Sequence, residues 1–352
     1  MAEAHGDSRP GPLRRARISD VAARAGVSEG LVSRLLNRDP TLTVRPQTRQ
    51  AVLDAARDLD YVPNSAAASL RRSRSNVIGL VLDRVTNPVF TDVVHGAEQA
   101  AAELGFGLLI ADAAEVEKDE TFLAGLIKSG RVDGLLLQGG FGPGAHTLEP
   151  YSALVPSVIV NSAGTGAASG VRLQDEAAAR LATEHLVELG HREIAFVAGA
   201  PGAASDARRH GVESALAGAS LPVHPRQIVQ GGWQAGDGFR AVQQARRGGA
   251  DASAYVVGSS VSALGVLAAL AEDGVRVPDQ VSVVGLHDPW FAEYLNPPLT
   301  TVALPLFELG RRSVLQLVAH LETGKPPEVV ISDPAPRLVV RASTGPVPRA
   351  AG

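Results

Sequence analysis

From residue 76 onward the chain consists of strand-length apolar runs separated by helix-length stretches, and few architectures accept that rhythm. A first series reads VIGLVLD (77–83), FGLLIAD (106–112), VDGLLLQ (132–138) and PSVIVNS (156–162). A second reads REIAFVAG (192–199), RQIVQG (226–231), SAYVVGS (253–259) and QVSVVGL (280–286). Continuous apolar runs belong in a parallel sheet with helices on both faces. Helices fit between the runs, for example over Phe90–Leu104 and Ala177–Leu189. Two such series predict an α/β core of two doubly wound parallel-sheet lobes.

In sheets of this kind a ligand lies beyond the carboxyl ends of the strands. That rule selects Asp83, Phe90, Asp112, Asn161, the loop from Gly199 to Arg208, Trp233, Ser259 and His287. Phe90 and Trp233 suit the face of a ring, while Asn161 and Arg208 suit hydroxyls or an anion. A polar, ring-shaped small molecule enclosed between the lobes is the expectation.

The net charge of −4 hides an asymmetry. Residues 1–75 hold 13 arginines against 8 acids, and residues 76–352 hold 20 bases against 29 acids. A basic head (+5) on an acidic body (−9) predicts that only the head meets a polyanion.

The head has its own plan. In ISDVAARA (18–25) the apolar residues 18, 21, 22 and 25 form a helical stripe. Gly26 suits a left-handed helix end, and Ser28 suits the cap of the next helix. In that second helix Leu31, Val32, Leu35 and Leu36 face inward and leave Glu29, Gly30, Ser33, Arg34 and Asn37 outside. A third helix fits Pro46–Leu59, with Val52, Leu53, Ala56 and Leu59 as its apolar positions. Two short helices around a tight glycine turn make a helix-turn-helix. The stretch SAAASLRRSRS (65–75) buries too little to fold alone and is expected to order only when two copies meet on DNA.

The ordered series ISDVAARAGVS, VSRLLN, TRQAVLDAARDLDYVPNSAAASL, VIGLVLDRVTNPVF, HLVELGHREIAFVAG and RVPDQVSVVGLHDPWFAEYLNPPLTT resembles the lactose/galactose-repressor (LacI/GalR) family of transcription regulators. The resemblance covers nearly the whole chain after residue 16. It implies a periplasmic-binding-protein-like core, a homodimer, and a near-palindromic double-stranded DNA operator. It also implies a small-molecule effector, a sugar or related polar metabolite, bound between the core lobes.

Residue by residue, the resemblance places Glu29, Gly30 and Arg34 at base edges in the major groove. Arg34 is suited to guanine O6 and N7. Ser33, Asn37, Arg45, Thr48 and Asn64 become phosphate contacts, and Leu70 a minor-groove wedge. Arg17 and Arg45 stand where capping hydroxyls are usual, so Ser19 is expected to cap the first helix. Phe90, Asn161, Arg208, Trp233, Ser259 and His287 become effector contacts. Ser259-Ser260 replaces a usual Asn-Asp pair, and His287 replaces a usual Asp. Arg208 with His287 is expected to favour a carboxylate or phosphate on the ligand.

The expected organisation is a disordered basic arm (1–16), the helix-turn-helix domain (17–63), a hinge (64–75), a sensing and dimerisation core (76–345) and a tail (346–352). The N-lobe takes about 76–173 and 304–332, and the C-lobe about 174–303 and 333–345. The ending RASTGPVPRAAG has no apolar heptads, so no C-terminal coiled coil is expected.

Other classes find little support. There is no Cys and no apolar run long enough to span a membrane, which points to a cytoplasmic protein without disulfides. The glycine-rich GGFGPGAH (139–146) lacks nucleotide-cradle spacing, and the nine histidines are scattered. Asp175-Glu176 is expected to serve the positive end of a helix. No cofactor, metal or catalytic set is expected, so the chain is not an enzyme. A solute-binding protein without a DNA role, or an effector-independent regulator, remains the alternative.

Overall fold

The computed structural model describes residues 16–36, 39, 41–61, 74–138, 149–249 and 252–347. The chain divides into two compact units, at Ser73/Arg74. The expectations for Asn37, Asn64 and Leu70, and for the 139–146 stretch, fall outside the described residues, as do most of the arm, hinge and tail.

The head contains α1 (Ile18–Ala25), α2 (Glu29–Leu36) and α3 (Pro46–Asp58). Gly26 ends α1 with φ 66°, and its N–H bonds back to Ala22 and Ala23. Ser28 Oγ accepts from Leu31 N at 3.3 Å and so caps α2. Val21, Val32, Leu35, Val52, Ala55 and Ala56 close a small core. Two details differ from expectation. Ser19 lies inside the first turn of α1, and the cap comes from Asp20, whose Oδ2 accepts from Arg17 N at 2.8 Å. Leu53 is exposed, because Ala55 takes the third inward place with Val52 and Ala56.

The core begins with β1 (Val77–Leu82), α4 (Thr91–Glu103), β2 (Gly107–Asp112), α5 (Ala113–Lys118) and α6 (Glu120–Lys128). It continues through β3 (Gly134–Gln138), α7 (Glu149–Ser152), β4 (Ser157–Val160) and β5 (Ser169–Arg172). The second lobe follows with α8 (Asp175–Glu188), β6 (Ile194–Val197), α9 (Ala203–Gly218), β7 (Ile228–Val229) and α10 (Ala235–Arg247). Next come β8 (Ala254–Val257), α11 (Ser260–Glu272), β9 (Ser282–Leu286) and β10 (Thr300–Ala303). Finally α12 (Leu306–Thr323) and β11 (Val329–Val330) return to the first lobe, and β12 (Arg337–Val339) to the second.

Each lobe holds one six-stranded sheet, in the orders β11-β5-β4-β3-β1-β2 and β12-β10-β9-β8-β6-β7. All pairings are parallel except β10 with β12. The chain therefore passes between lobes three times, at 173–174, 304–305 and 331–336. The central strands are buried along their length, which explains their unbroken apolar runs. Helix pairs meet where side chains are missing. A Cβ on Gly96 of α4 would overlap the Phe307 carbonyl of α12, and one on Gly310 would overlap Val93.

Candidate nucleic-acid interface and ligand cleft

In the head, the residues expected to read DNA lie on one side of α2. Glu29, Gly30 and Arg34 are exposed, while Val32 and Leu35 fill the core below them. Ser33 and Thr48 are half-buried, and Arg45 is exposed and supplies no side-chain cap to α3. Arg34 is held in place. Its Nε donates to Asp39 Oδ2 at 2.7 Å, and a terminal nitrogen donates to Thr41 Oγ1 at 3.1 Å. Asp39 in turn accepts from both the hydroxyl and the backbone N–H of Thr41. The Thr41 hydroxyl, then the Arg34 guanidinium, holds the Asp39 carboxyl down to about 2. Sequence reading missed Asp39, which lies beyond the helix that it steadies.

In the core, the carboxyl ends of both sheets converge on a cleft. Its inner cavity is lined by Phe90, Asn161, Arg208, Trp233, Ser259 and His287, the six expected contacts, and also by Asp83. The cavity is only about 30 Å³ by the space open to a water centre, room for about two waters. An outer cavity of about 400 Å³ adjoins it, bounded by Arg172, Gln174, Arg180 and the start of α9. Asn161 belongs to both walls. Asp112 serves elsewhere: it caps α5 and accepts from Val85 N.

Arg208 is the hub of the cleft and is 1% exposed. Its Nε donates to Asp175 Oδ1 at 2.8 Å, and a terminal nitrogen lies 2.6 Å from the same oxygen. Its other donors reach the Gly258 carbonyl and His287 Nε2, the latter at 3.0 Å. Trp233 lies over the guanidinium, 5.2 Å from it to the ring centroid. Trp233 reaches that place because Gly199 has no side chain; a Cβ there would overlap the indole.

Asp175 thus does more than serve the end of α8. It is 5% exposed, and its second oxygen accepts from Asn161 Nδ2 at 3.0 Å. Asn161 Oδ1 accepts from Leu173 N at 3.0 Å, so both ends of this amide are engaged. The network Asn161–Asp175–Arg208–His287 joins β4 of one lobe to the far end of β9 in the other. The sequence signal was faint, since an acid at a helix start has an ordinary explanation.

His287 stands at the end of β9 with φ 70°, and Asn161 after β4 with φ 56°. Non-glycine residues in this left-handed region cluster at functional sites. Burial first, and then the Arg208 charge, holds the His287 pKa well below its ordinary value. The imidazole is neutral, and Arg208 is already matched by Asp175. His287 Nδ1 is buried with no hydrogen-bond partner among the described residues. A buried polar atom left so costs about 1–3 kcal/mol.

The departures at 259 and 260 have structural uses. Ser259 Oγ caps α11 through Val261 N at 3.3 Å. Ser260 Oγ donates toward the carbonyls of Leu286 and His287 and so fixes the turn that carries His287. Asp288 faces away from the cavity, where it pairs with Arg341 at 2.8 Å and accepts from Thr301 Oγ1.

Comparison with known proteins identifies both units. Residues 17–64 match the model "Bacterial regulatory proteins, lacI family". Residues 183–344 match "Periplasmic binding protein-like domain". The chain is 30% identical over 334 residues to the HTH-type transcriptional repressor PurR of Haemophilus influenzae, covering 93% of this chain and 98% of that one. The chain belongs to the LacI family. To the HTH-type transcriptional repressor CytR of Escherichia coli it is 32% identical over 310 residues, 87% of this chain and 90% of that one. The lac repressor dimer bound to operator and the anti-inducer ONPF matches with a TM-score of 0.79 at 27% identity, covering 94% of this chain and 100% of that one.

As a LacI-family protein the chain is a DNA-binding transcription regulator with a small-molecule effector, not an enzyme. Among the described residues no cluster of His, Cys, Asp or Glu could hold a metal ion. No described helix is long and apolar enough to cross a membrane.

Proposed function

We propose that this regulator is a cytoplasmic repressor that grips a near-palindromic operator as a homodimer and releases or tightens its hold when a polar ring enters the interlobe cleft. Arg34 reads a guanine in each half-site, with Glu29 at the neighbouring base and Gly30 allowing close approach. Ser33, Asn37, Arg45, Thr48 and Asn64 contact phosphates and fix the register. Leu70 enters the minor groove between the half-sites.

The observation that carries the reading is the polar network that meets in the cleft from both lobes. A ligand wider than the inner cavity has to part Asn161 from Arg208 or draw the lobes to new positions around itself. Either change alters the relative pose of the lobes. Effector coupling of about 1–3 kcal/mol would suffice to switch operator occupancy.

The test is selection of bound duplexes from a random pool, repeated while candidate metabolites are titrated. Enrichment of a two-fold symmetric site whose recovery changes with one metabolite supports the reading. Recovery of DNA without sequence preference defeats it.

A further inference from the structure

We propose that Asp133 is a positioning residue for DNA recognition: its carboxylate clasps residues 75 and 76, where the hinge enters the core, and so sets the half-site spacing that the dimer accepts. The inference rests on the two-headed operator reading above and adds the residue that fixes where each hinge begins.

The clasp lies wholly within the core unit, which begins at Arg74. Asp133 immediately precedes β3 and is half-buried. Its Oδ1 accepts from Ser75 N at 2.7 Å and from the Ser75 hydroxyl at 2.9 Å, and its Oδ2 accepts from Asn76 N at 2.7 Å. The Ser75 hydroxyl oxygen in turn accepts from Val77 N at 3.2 Å. Asp133 N closes the ring by donating to the Val77 carbonyl at 2.8 Å. On the other side, Gly107 N at the start of β2 donates to the Asn76 carbonyl at 2.8 Å. Asn76 is thus gripped from both sides, in the left-handed region at φ 54°. A non-glycine residue persists there only where its surroundings over-determine the backbone. Hydrogen bonds to a carboxylate are the stronger kind, and this carboxylate accepts three.

A second anchor lies one residue earlier. A terminal nitrogen of Arg74 donates to the Leu321 carbonyl at 3.1 Å, in the last turn of α12, where a cation also suits the helix dipole. The opposite end of α12 carries Leu306 and Leu309 into the wall of the inner cavity. At about 1.5 Å per residue, one helix spans the roughly 22 Å between cavity and anchor. The root of the hinge therefore stands on two elements of the first lobe and moves with that lobe. If Asp133 lets go, two residues are freed, each with about 3.3–3.6 Å of reach, or about 7 Å per protomer. One base-pair step displaces a half-site by about 3.4 Å and turns it by about 35°. Slack of that size seats both heads on half-sites one step nearer or farther apart.

Two measurements on full-length wild type, Asp133→Ala and Asp133→Asn test the inference. The Asn variant keeps the size of the side chain but sets an NH2 against one of the N–H groups. Half-sites recovered from a random pool are rejoined with one central base pair added or removed. Wild type should prefer one spacing. Its penalty for the wrong spacing should shrink at least about fivefold in both variants, with base preference inside each half-site unchanged. Comparing spacings within one preparation cancels the folded fraction. A variant that only destabilises the core therefore weakens every duplex alike, and that outcome overturns the proposal. An unchanged penalty, or a wild type that accepts several spacings equally, overturns it too. Hydrogen exchange without DNA reads the clasp itself. Ser75 and Asn76 amides that are protected in wild type and exchange at least about tenfold faster in the variants support it. Amides that exchange freely in wild type overturn it. Failure to recover paired half-sites counts against the operator reading, and the exchange result then decides the clasp alone.

Discussion

Arg34 and Asp39 form an ion pair on the surface of the head, Nε to Oδ2 at 2.7 Å, across the end of the recognition helix. The pair uses one edge of the guanidinium, and its Thr41 bond uses part of the other. To grip a guanine with two bonds, Arg34 has to exchange the Thr41 contact for the base while Asp39 keeps the plane of the guanidinium fixed. Asp39→Ala should therefore blur discrimination at the Arg34 base pair. Weak binding to unrelated DNA should strengthen at the same time, because a negative charge near phosphates is gone. Competition binding with single-base operator variants checks both effects.

Arg34→Ala should cost about 1–3 kcal/mol at one base position per half-site, with little change in the salt slope. A loss spread evenly over all sequences would show that Arg34 meets phosphate instead.

Asp175→Ala leaves Arg208 as a buried charge without its partner. Removing one member of a buried pair costs about 3–5 kcal/mol, so the core of this variant should melt well below the wild type. Asp175→Asn can keep an oxygen on Arg208 but loses the charge and sets its NH2 against the Asn161 NH2, and should fall between the two. Calorimetric melting of all three proteins gives the order.

Much of this architecture was legible beforehand, for reasons that differ by residue. VIGLVLD and QVSVVGL announced themselves because strands buried on both faces have no polar face to confuse the pattern. SGVR (169–172) and TTVA (300–303) did not, yet they are strands β5 and β10. They are short, and their small and polar side chains are buried by neighbours supplied from elsewhere in the chain. The six cleft contacts could be selected because they follow strand ends. Their partners could not: Asp175 meets Arg208 across 33 positions and His287 meets it across 79. For that reason the matching of Arg208 by Asp175 became visible only in three dimensions.

Gly199→Ala places a methyl group where the Trp233 ring lies against the backbone. The indole must move off Arg208, and overpacking of this kind costs about 1–3 kcal/mol. Tryptophan fluorescence, measured in a Trp290→Phe background, should shift toward that of a more exposed indole. An unchanged emission would mean that the backbone yields instead.

Acid should loosen the second lobe. His191 is fully buried between Ser253, Ser282 and the Gly345 carbonyl, and His185 is bonded to Thr344. Burial lowers the pKa of both below the ordinary histidine value. The unfolded chain therefore takes up protons near pH 6.5 that the folded chain refuses. Their contribution is fully present above about pH 6.5 and is lost as pH falls toward the folded values. Urea midpoints should decline over that interval, and less so in His191→Gln.

The glycines at which α4 and α12 cross let two backbones touch with nothing between them. A seam so tight has no slack for sliding, so the first lobe must travel as one block. Whatever swing an effector provokes is then concentrated in the three thin straps of chain at 173–174, 304–305 and 331–336. Changes in those straps would retune how readily one event is felt by the other.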